Sequence, residues 1–182
     1  MKTAKLFFMG VAVAILSMGC SKDDDGSKGG KTDFSSNVPS GEIVPVELRN
    51  ETLTGYSELN APSKGVMPEG IQKWWEYKHG EISSVDCPEF DQPLDVGTDY
   101  YFGLYPDGSA YSKYGVDGTP TYIGDWNWTS SAKEALVISW AEGAVFYLTY
   151  LNETNLVYAS KQSVQGCSVE TYEQMHNPHQ FE

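Results

Sequence analysis

The chain has 182 residues, with 25 acidic and 12 basic side chains and a formal net charge of −13. This length suits one domain of ordinary size with a tail, and an aromatic content of 13%, including 12 tyrosines and 5 tryptophans, supplies material for a hydrophobic core. The acidic balance argues against nucleic-acid binding, which needs a basic face, and no apolar run is long enough for a permanent membrane-spanning helix.

Residues 1–19 have the features of an export signal. Lys2 and Lys5 form a short positive region, and residues 6–16 are almost entirely apolar, over the length expected of a signal-peptide core. The segment leads into Leu16, Ser17, Met18, Gly19 and Cys20. This order resembles the lipobox of bacterial lipoproteins, which implies cleavage before Cys20 and a diacylglyceryl group on its thiol that anchors the protein in a membrane. The alternative is an ordinary signal peptide with an incidental cysteine.

Residues 20–40 are the predicted lipid anchor and flexible acidic linker. They are rich in Gly, Ser, Lys and Asp and hold a single aromatic residue, Phe34, so they lack the apolar area to order themselves. The acidic cluster at residues 23–25 resembles the signal that exports Bacteroidetes lipoproteins to the cell surface. We therefore expect an outer-membrane lipoprotein displayed at the surface, with the periplasmic face as the alternative. Loss of residues 1–19, which hold two lysines and no acid, would change the net charge from −13 to −15.

Residues 41–69 are predicted to be an irregular lead-in to the folded domain. The segment contains Pro45, Pro62 and Pro68 and shows little periodicity, apart from one short candidate strand at residues 43–48. The folded domain is accordingly placed at residues 70–182.

The body of the chain alternates in hydrophobicity with period two and is divided by short turns. Asp107-Gly108, between two aromatic-rich runs, is a strong hairpin signal, because both positions favour a positive φ. A short terminal helix is predicted at residues 168–176, ending before Pro178. Seven strands are predicted, at Ile71–His79, Thr98–Tyr105, Ser109–Tyr114, Thr121–Thr129, Ala135–Ala141, Ala144–Leu151 and Thr154–Ser160.

The short connections predict an all-β fold of the up-and-down type. Consecutive hairpins favour a simple antiparallel order, and closure into a barrel removes exposed strand edges. Within the strands, period two places Tyr122, Trp126 and Trp128 on one face, and Tyr150 on one face with Phe146. The spacing does not establish which face is the interior.

Two cysteines remain if Cys20 carries lipid. In an exported protein, Cys87 and Cys167 are predicted to form a disulfide, because an even pair usually does. The bridge would stabilise the fold by roughly 4 kcal/mol in the chain-entropy model. A reactive thiol is the alternative, although neither cysteine lies in a C-x-x-C motif.

Four segments together resemble the lipocalin-like domain of Bacteroidetes lipoproteins. These are the opening Gly-to-Trp segment, the Asp-Gly hairpin, a Gly-x-Trp strand and the closing hairpin, at residues 70–74, 102–111, 124–128 and 146–158. The resemblance implies a small antiparallel β-barrel, sometimes incomplete, without enzymatic activity. A ligand is usually presumed for this family and seldom known.

Catalytic motifs are not apparent in the chain. Its histidines are His79, His176 and His179, and no serine-hydrolase elbow, zinc-protease motif or P-loop occurs. We therefore predict no enzyme, no cofactor and no metal site, and interpret the last two histidines as part of a solvated tail. A hydrolase would instead require two buried acids within about 10 Å of each other.

The aromatic residues carry the functional prediction. They are expected to line or plug the barrel, where they would contact a small hydrophobic molecule. The alternative is that they only fill the core, or that rings outside the barrel stack on a glycan or a protein during nutrient capture or adhesion. The predicted ligand-binding residues are Trp74, Trp126, Trp128, Trp140 and Tyr147. The oligomeric state is not predicted.

Overall fold

A computed structural model describes residues 33–57, 71–84, 86–139 and 144–177. The predicted signal peptide, Cys20 and Trp140 lie outside these residues. Within them, no helix combines the length and the apolar character needed to cross a bilayer. The elements are α1 (Arg49–Thr54), β1 (Trp75–Ser84), a 3-10 turn (Pro88–Phe90), β2 (Gln92–Pro93), β3 (Tyr100–Leu104), β4 (Ser109–Tyr114), β5 (Thr121–Trp128), β6 (Ala135–Ile138), β7 (Val145–Leu151), β8 (Asn155–Val164) and β9 (Cys167–His176).

The strands form a closed antiparallel barrel of eight strands with one short extra strand, β2. From β3 to β9 each strand pairs with the next along the chain, and β1 pairs with both β3 and β9, which closes the barrel. The predicted all-β, up-and-down barrel is therefore confirmed. All seven predicted strands are present, with shifted ends, and β2 and β9 are additional.

The predicted terminal helix at residues 168–176 is wrong, because this segment forms β9. Gln165 and Gly166 both have positive φ, 53° and 86°, as a two-residue hairpin turn requires. The turn brings the segment back along β8 in an unbroken register from Val164↔Cys167 to Asn155↔His176. This pairing, together with that to β1 on the other side, outweighs the weak helical preference of the segment.

The described strands contain three β-bulges, in β1, β5 and β7, and the last two change the faces that alternation predicts for Tyr122 and Tyr150. In the pairing of β4 with β5, the register shifts so that Tyr122 lies opposite Tyr111, on the outer face and away from Trp126. The Tyr122 hydroxyl donates a hydrogen bond there to Asp125. A second shift in β7 places Tyr150 outside as well. Because a bulge adds one residue to one strand, period-two reasoning fails beyond it.

The helix α1 closes one end of the barrel, which we call the lower end. Leu53 on the helix is fully buried, and the Trp75 indole Nε1 donates a 2.8 Å hydrogen bond to its carbonyl oxygen. Leu104 on β3 and Leu151 on β7 are also fully buried in the same hydrophobic core. The lower half of the interior is therefore packed solid.

Residues 33–44, which we call the strap, run along the outer wall of the barrel. Val38 is buried against Ala159 and Tyr172, and the Phe34 ring packs 5.9 Å from that of Tyr147. Ordered packing thus begins before residue 40, where the linker was predicted to end, because the strap covers an apolar patch on the outer face. In place of the candidate strand at residues 43–48, Ile43 makes a single bridge to the sheet and α1 follows.

A buried glutamate holds the strap in place. Glu170 on β9 is 1% exposed, and its carboxylate accepts 3.0 Å hydrogen bonds from the Ser35 amide and from Lys161 Nζ. Burial alone would raise the pKa of Glu170, but these hydrogen bonds lower it below its usual value. The carboxylate is therefore ionised at neutral pH and joins strap and barrel.

The predicted disulfide is confirmed. Cys87 and Cys167 are bonded, with their Cα atoms 6.0 Å apart. The bond ties residues 86–99, which connect β1 to β3 and which we call the mouth segment, to the first residue of β9. The Asp86 carboxylate adds a 3.0 Å hydrogen bond from the Ser168 amide at the same place.

Candidate ligand-binding site in the barrel lumen

The two halves of the lumen differ in how completely side chains fill them. In the lower half, Trp75 and Trp126 are at most 1% exposed, and Trp128 is partly buried against the same core. In the upper half, several lumen-facing side chains keep part of their surface accessible: Tyr77, Ile82, Tyr100, Ser112, Thr171 and Glu173. The lower half of the barrel is thus filled more completely than the upper half.

An aromatic layer separates the halves. The Tyr158 ring lies edge-on to Phe146, with ring centroids 5.3 Å apart, and 6.5 Å from Phe102 on its other side. All three side chains are buried. Above this floor the barrel presents the partly accessible side chains of Tyr77, Tyr100, Ser112 and Glu173. We call the region between them and Tyr158 the upper chamber.

Strand register places Glu173 inside the barrel. On β9 it lies opposite Tyr158 of β8 on one side and Gly80 of β1 on the other. Its neighbour two residues away, Met175, belongs to the hydrophobic core, and alternation along the strand puts both on the lumen side. Glu170 points the opposite way, towards the strap.

The Glu173 carboxyl is held in an apolar environment. Burial raises its pKa from 4.5 to about 7, and a hydrogen bond with Tyr158, whose hydroxyl donates to the carboxylate, opposes part of that rise. Among the described residues, none of the ion pairs involves Glu173. Near neutral pH the chamber therefore contains a carboxyl group that is poised between its neutral and charged forms.

Three tyrosines surround this carboxyl and keep their protons. Burial, followed by the charge of Glu173, raises the pKa of Tyr77 and of Tyr100 to about 12, and the pKa of Tyr158 is raised well above 10 for the same two reasons. The Tyr77 hydroxyl donates to the Leu94 carbonyl, and that of Tyr100 is hydrogen-bonded to Ser112. The chamber thus combines apolar ring surfaces with several polar groups.

The mouth segment borders the upper chamber. β2 pairs with the upper part of β1, and the Leu94 amide donates a 2.9 Å hydrogen bond to the Gly80 carbonyl. A Cβ at Gly80 would come within 3.2 Å of the Leu94 side chain and 3.0 Å of the Tyr77 hydroxyl, so glycine permits this close approach. The segment has no basic residue and five exposed acids, which are Asp86, Glu89, Asp91, Asp95 and Asp99.

The predicted tryptophans divide between the two faces of the wall. Trp126 and Trp128 face the lumen, but in its lower half, where their indole nitrogens donate 2.9 Å hydrogen bonds to the Tyr105 carbonyl and the Asn50 side chain. Their hydrogen-bonding groups are thus occupied within the protein.

Trp74 and Tyr147 lie on the outer face and do not line the lumen. Lys113 Nζ lies 4.6 Å from the Trp74 ring centroid, and Tyr147 packs against Phe34 of the strap. Because neighbouring side chains on a strand point to opposite faces, the adjacent Trp75 occupies the lumen instead of Trp74.

The chamber residues were missed by reasoning from the sequence. Glu173 fell within the segment predicted to be helical, although Val169, Thr171 and Met175 alternate with polar neighbours as in a strand. Tyr158 was assigned to a strand, but its partner across the sheet could not be named without the missing β9. The Gln165-Gly166 pair was the signal that could have located that strand.

The outer wall offers a second concave surface. A groove of about 350 Å³ lies between the strap and the barrel, and its polar lining includes Lys78, Asn155, Gln174 and His176. We call it the outer groove. His176 therefore borders this groove at the end of β9, whereas His179, the other half of the predicted tail pair, lies outside the described residues.

Aromatic rings also cluster on the outer face of the sheet. Tyr105, Tyr111 and Tyr122 follow one another at centroid distances of 4.7 and 5.7 Å, with interplanar angles of 55° and 73°. Sugar stacking of the predicted kind needs coplanar exposed rings. These rings are steeply inclined to one another and do not form a flat platform.

The upper chamber has the composition of a small-molecule site, with an apolar floor and a few convergent polar groups. The Glu173 carboxyl and the tyrosine hydroxyl oxygens, which can still accept hydrogen bonds, can orient a ligand, while the rings contact its apolar part. Comparisons with models of protein families, with curated proteins and with solved structures found no match. A function for the upper chamber can therefore rest only on its own geometry.

Proposed function

We propose that this protein is a non-catalytic, membrane-anchored lipoprotein of the lipocalin-like type, which binds a small, largely hydrophobic molecule in the upper chamber. The contrast between the two halves of the lumen carries the proposal. Trp75 and Trp126 fill the lower half, whereas Tyr77, Tyr100 and Glu173 keep accessible surface in the upper half. An eight-stranded barrel whose interior is partly unfilled has room for one small ligand.

Blocking the chamber tests this proposal. A neutral fluorescent probe, N-phenyl-1-naphthylamine, would be titrated into the protein and into Ser112→Trp, which places an indole in the chamber. We expect at least a tenfold loss of probe affinity, about 1.4 kcal/mol, because the indole occupies the binding space. Ser163→Trp is the matched control, since Ser163 is exposed on β8 beyond the chamber, and its affinity is expected to stay within twofold.

Two outcomes would overturn the chamber proposal. One is that the unmodified protein fails to bind the probe. The other is that Ser112→Trp binds it as tightly as Ser163→Trp while both are folded by circular dichroism, which would place the probe elsewhere.

The membrane anchor is tested separately. Cells expressing the protein would be fed an alkyne-tagged palmitate, and incorporation would be compared with that in Cys20→Ala. We expect label only in the protein that keeps Cys20, because the lipobox resemblance places the acylated thiol there. Protease digestion of intact cells then distinguishes display at the surface, which we propose, from the periplasmic face. Equal labelling of both proteins would refute lipidation at Cys20.

The outer groove favours a second candidate function, the binding of a glycan or a protein during nutrient capture or adhesion. Its side chains Asn155, Gln174 and His176 can hydrogen-bond to hydroxyl groups. If this candidate holds, Gln174→Ala abolishes binding to arrayed oligosaccharides and Ser112→Trp leaves it intact. The opposite pattern would assign any sugar binding to the chamber.

A further inference from the structure

We infer that the ligand of the upper chamber is an organic cation, with an apolar body and an ammonium head group that pairs with the Glu173 carboxylate among the rings of Tyr77, Tyr100 and Tyr158. This inference rests on the proposed function, because it names the class of molecule that the chamber takes. It follows from three features of the chamber, which are the carboxylate that lacks a cation, the aromatic lining and the acidic rim.

The carboxylate of Glu173 lacks a cationic partner within the described part of the chain. The groups that face it are Tyr158 from β8, Tyr77 from β1 and Tyr100 from β3, with Asp95 of the mouth segment next to Tyr77. None of these is basic. A buried carboxylate without a counter-ion is unfavourable. A ligand with a positive charge would supply that counter-ion and would bind more tightly for that reason.

Nearby lysines are engaged outside the lumen. Lys78 pairs with Glu76 at 2.6 Å, and Lys161 pairs with Glu170 at 3.0 Å. Lys113 donates to the Val116 carbonyl and lies over the ring of Trp74. These three lysines therefore lie on the outer side of the barrel wall, whereas the Glu173 carboxylate lies on the inner side.

The lining suits an ammonium group. Tyrosine rings attract cations through their negative faces, and aromatic cages are a recurrent means of binding quaternary ammonium groups. Tyr77, Tyr100 and Tyr158 border the same space as the carboxylate, so charge pairing and ring contacts can act on one head group. The accessible surfaces of Ile82 and of the Tyr77 and Tyr100 rings can then contact the apolar body.

The rim adds electrostatic selection. The mouth segment, residues 86–99, carries five acids and no base, and the whole chain has a net charge of −13. A cleft lined with one sign of charge raises the local concentration of oppositely charged ligands and repels those of like charge. Fatty acids, which would bring a second carboxylate next to Glu173, are therefore disfavoured.

Three competitors of equal chain length test the inference: decylammonium, 1-decanol and decanoate, each used to displace N-phenyl-1-naphthylamine. At pH 8 we expect decylammonium to act at about tenfold lower concentration than decanol, with decanoate weakest. Because the pKa of Glu173 is about 7, the advantage of decylammonium should shrink several-fold at pH 5.5, where the carboxyl is protonated and the amine remains charged.

Matched variants locate the effect. Glu173→Gln should bring decylammonium to the level of decanol and leave probe binding intact, which also shows that the variant is folded. Glu134→Gln, at an exposed position away from the chamber, should behave as the unmodified protein. The pH comparison in the unmodified protein serves as the readout if Glu173→Gln does not fold.

The outcomes distinguish a failure of the organic-cation inference from a failure of the proposed function on which it rests. If decanol or decanoate displaces the probe as well as decylammonium at pH 8, and Ser112→Trp still abolishes probe binding, the chamber binds a ligand of another class and the inference is wrong. If Ser112→Trp leaves probe binding unchanged, the proposed function itself fails.

Discussion

The lower and upper halves of the lumen are built by the same strands and differ in the side chains that those strands turn inwards. Below the aromatic floor, β1 contributes Trp75 and β3 contributes Leu104, both fully buried. Above it, the same strands contribute Tyr77 and Tyr100, which are partly accessible and polar at the tip. The comparison separates two tasks, because the filled half stabilises the barrel while the open half is available for a ligand.

The outer and inner faces of the barrel wall differ in a similar way, as two glutamates of β9 show. On β9, Glu170 faces outwards and Glu173 faces the lumen, three residues away. Hydrogen bonds with Ser35 and Lys161 lower the pKa of Glu170, whereas burial raises that of Glu173 to about 7. The Glu170 carboxylate has hydrogen-bond partners within the protein and stabilises the fold. Glu173 is buried without an ion pair among the described residues, so its ionised form lowers the stability of the fold.

Removal of Trp75 should give the largest effect. Trp75→Ala takes away a fully buried indole and its hydrogen bond to the Leu53 carbonyl. We expect the free energy of unfolding to fall by about 3–5 kcal/mol, as for other buried large-to-alanine changes. Urea denaturation followed by circular dichroism measures the loss. Tyr122→Ala, at a half-exposed outer position, should cost less than about 0.5 kcal/mol, and a loss below about 1 kcal/mol for Trp75→Ala would contradict a solid lower half.

Loss of the disulfide should have the second-largest effect on stability. The double variant Cys87→Ser, Cys167→Ser opens a link between residues 80 apart in the sequence. The expected loss is about 2–4 kcal/mol, since the unfolded chain regains conformational freedom. Because the disulfide holds the mouth segment, the affinity for the fluorescent probe should fall as well. Trp75→Ala leaves the disulfide in place, so its folded fraction need not lose probe affinity. Unchanged stability in urea under matched buffer conditions would refute this prediction.

The two halves also differ in how far the sequence predicted them. The strands Ser109–Tyr114 and Thr121–Trp128 follow from alternation, and the Asp107-Gly108 hairpin precedes the first of them as predicted. Of the two turn residues, only Gly108 has the predicted positive φ. Their inward positions include Trp126, which is buried in the core, and Trp128, which is partly buried against it. The face of Tyr122 could not be predicted, because a bulge depends on the register of the partner strand.

The upper chamber depended on contacts between residues far apart in the sequence. Glu173 lies next to Tyr158 and opposite Gly80 only because β9 pairs on both sides and closes the barrel. No local signal in the polar-looking segment 168–176 indicates that Glu170 is buried on the outer face or that the Glu173 carboxyl is buried on the lumen side. Likewise, the sequence around Phe34 and Val38 is typical of a linker. The apolar outer patch that these residues cover is formed by Ala159 and Tyr172, far along the chain.

The pH dependence of stability should distinguish the two glutamates. The pKa of Glu173 is about 7 in the folded state and about 4.5 in the unfolded state, so the folded state binds more protons between these values and stability falls as the pH rises through that range. Glu173→Gln should therefore raise the free energy of unfolding at pH 8 by about 3 kcal/mol and change it little at pH 4.5.

Glu170→Gln provides the opposite control. Because its folded-state pKa is lowered, its contribution is present above the unfolded value and is lost as the pH falls through the folded value. The variant should therefore be destabilised at pH 8. Urea denaturation at the two pH values measures both effects, and a stability gain for Glu173→Gln that is equal at pH 4.5 and pH 8 would show that its carboxyl is not buried in the folded protein.

Loss of the Tyr77 hydroxyl should have the smallest effect of the four. Tyr77→Phe keeps the ring in the chamber and removes the hydrogen bond to the Leu94 carbonyl, which fastens the mouth segment over β1. We expect the free energy of unfolding to fall by about 1 kcal/mol and the Leu94 amide, which donates to Gly80, to exchange its hydrogen faster. Tyr147→Phe, on the outer face, should leave that exchange rate unchanged. If both variants leave it unchanged, the mouth segment is held by the disulfide and the β2 pairing alone, and access to the chamber does not depend on Tyr77.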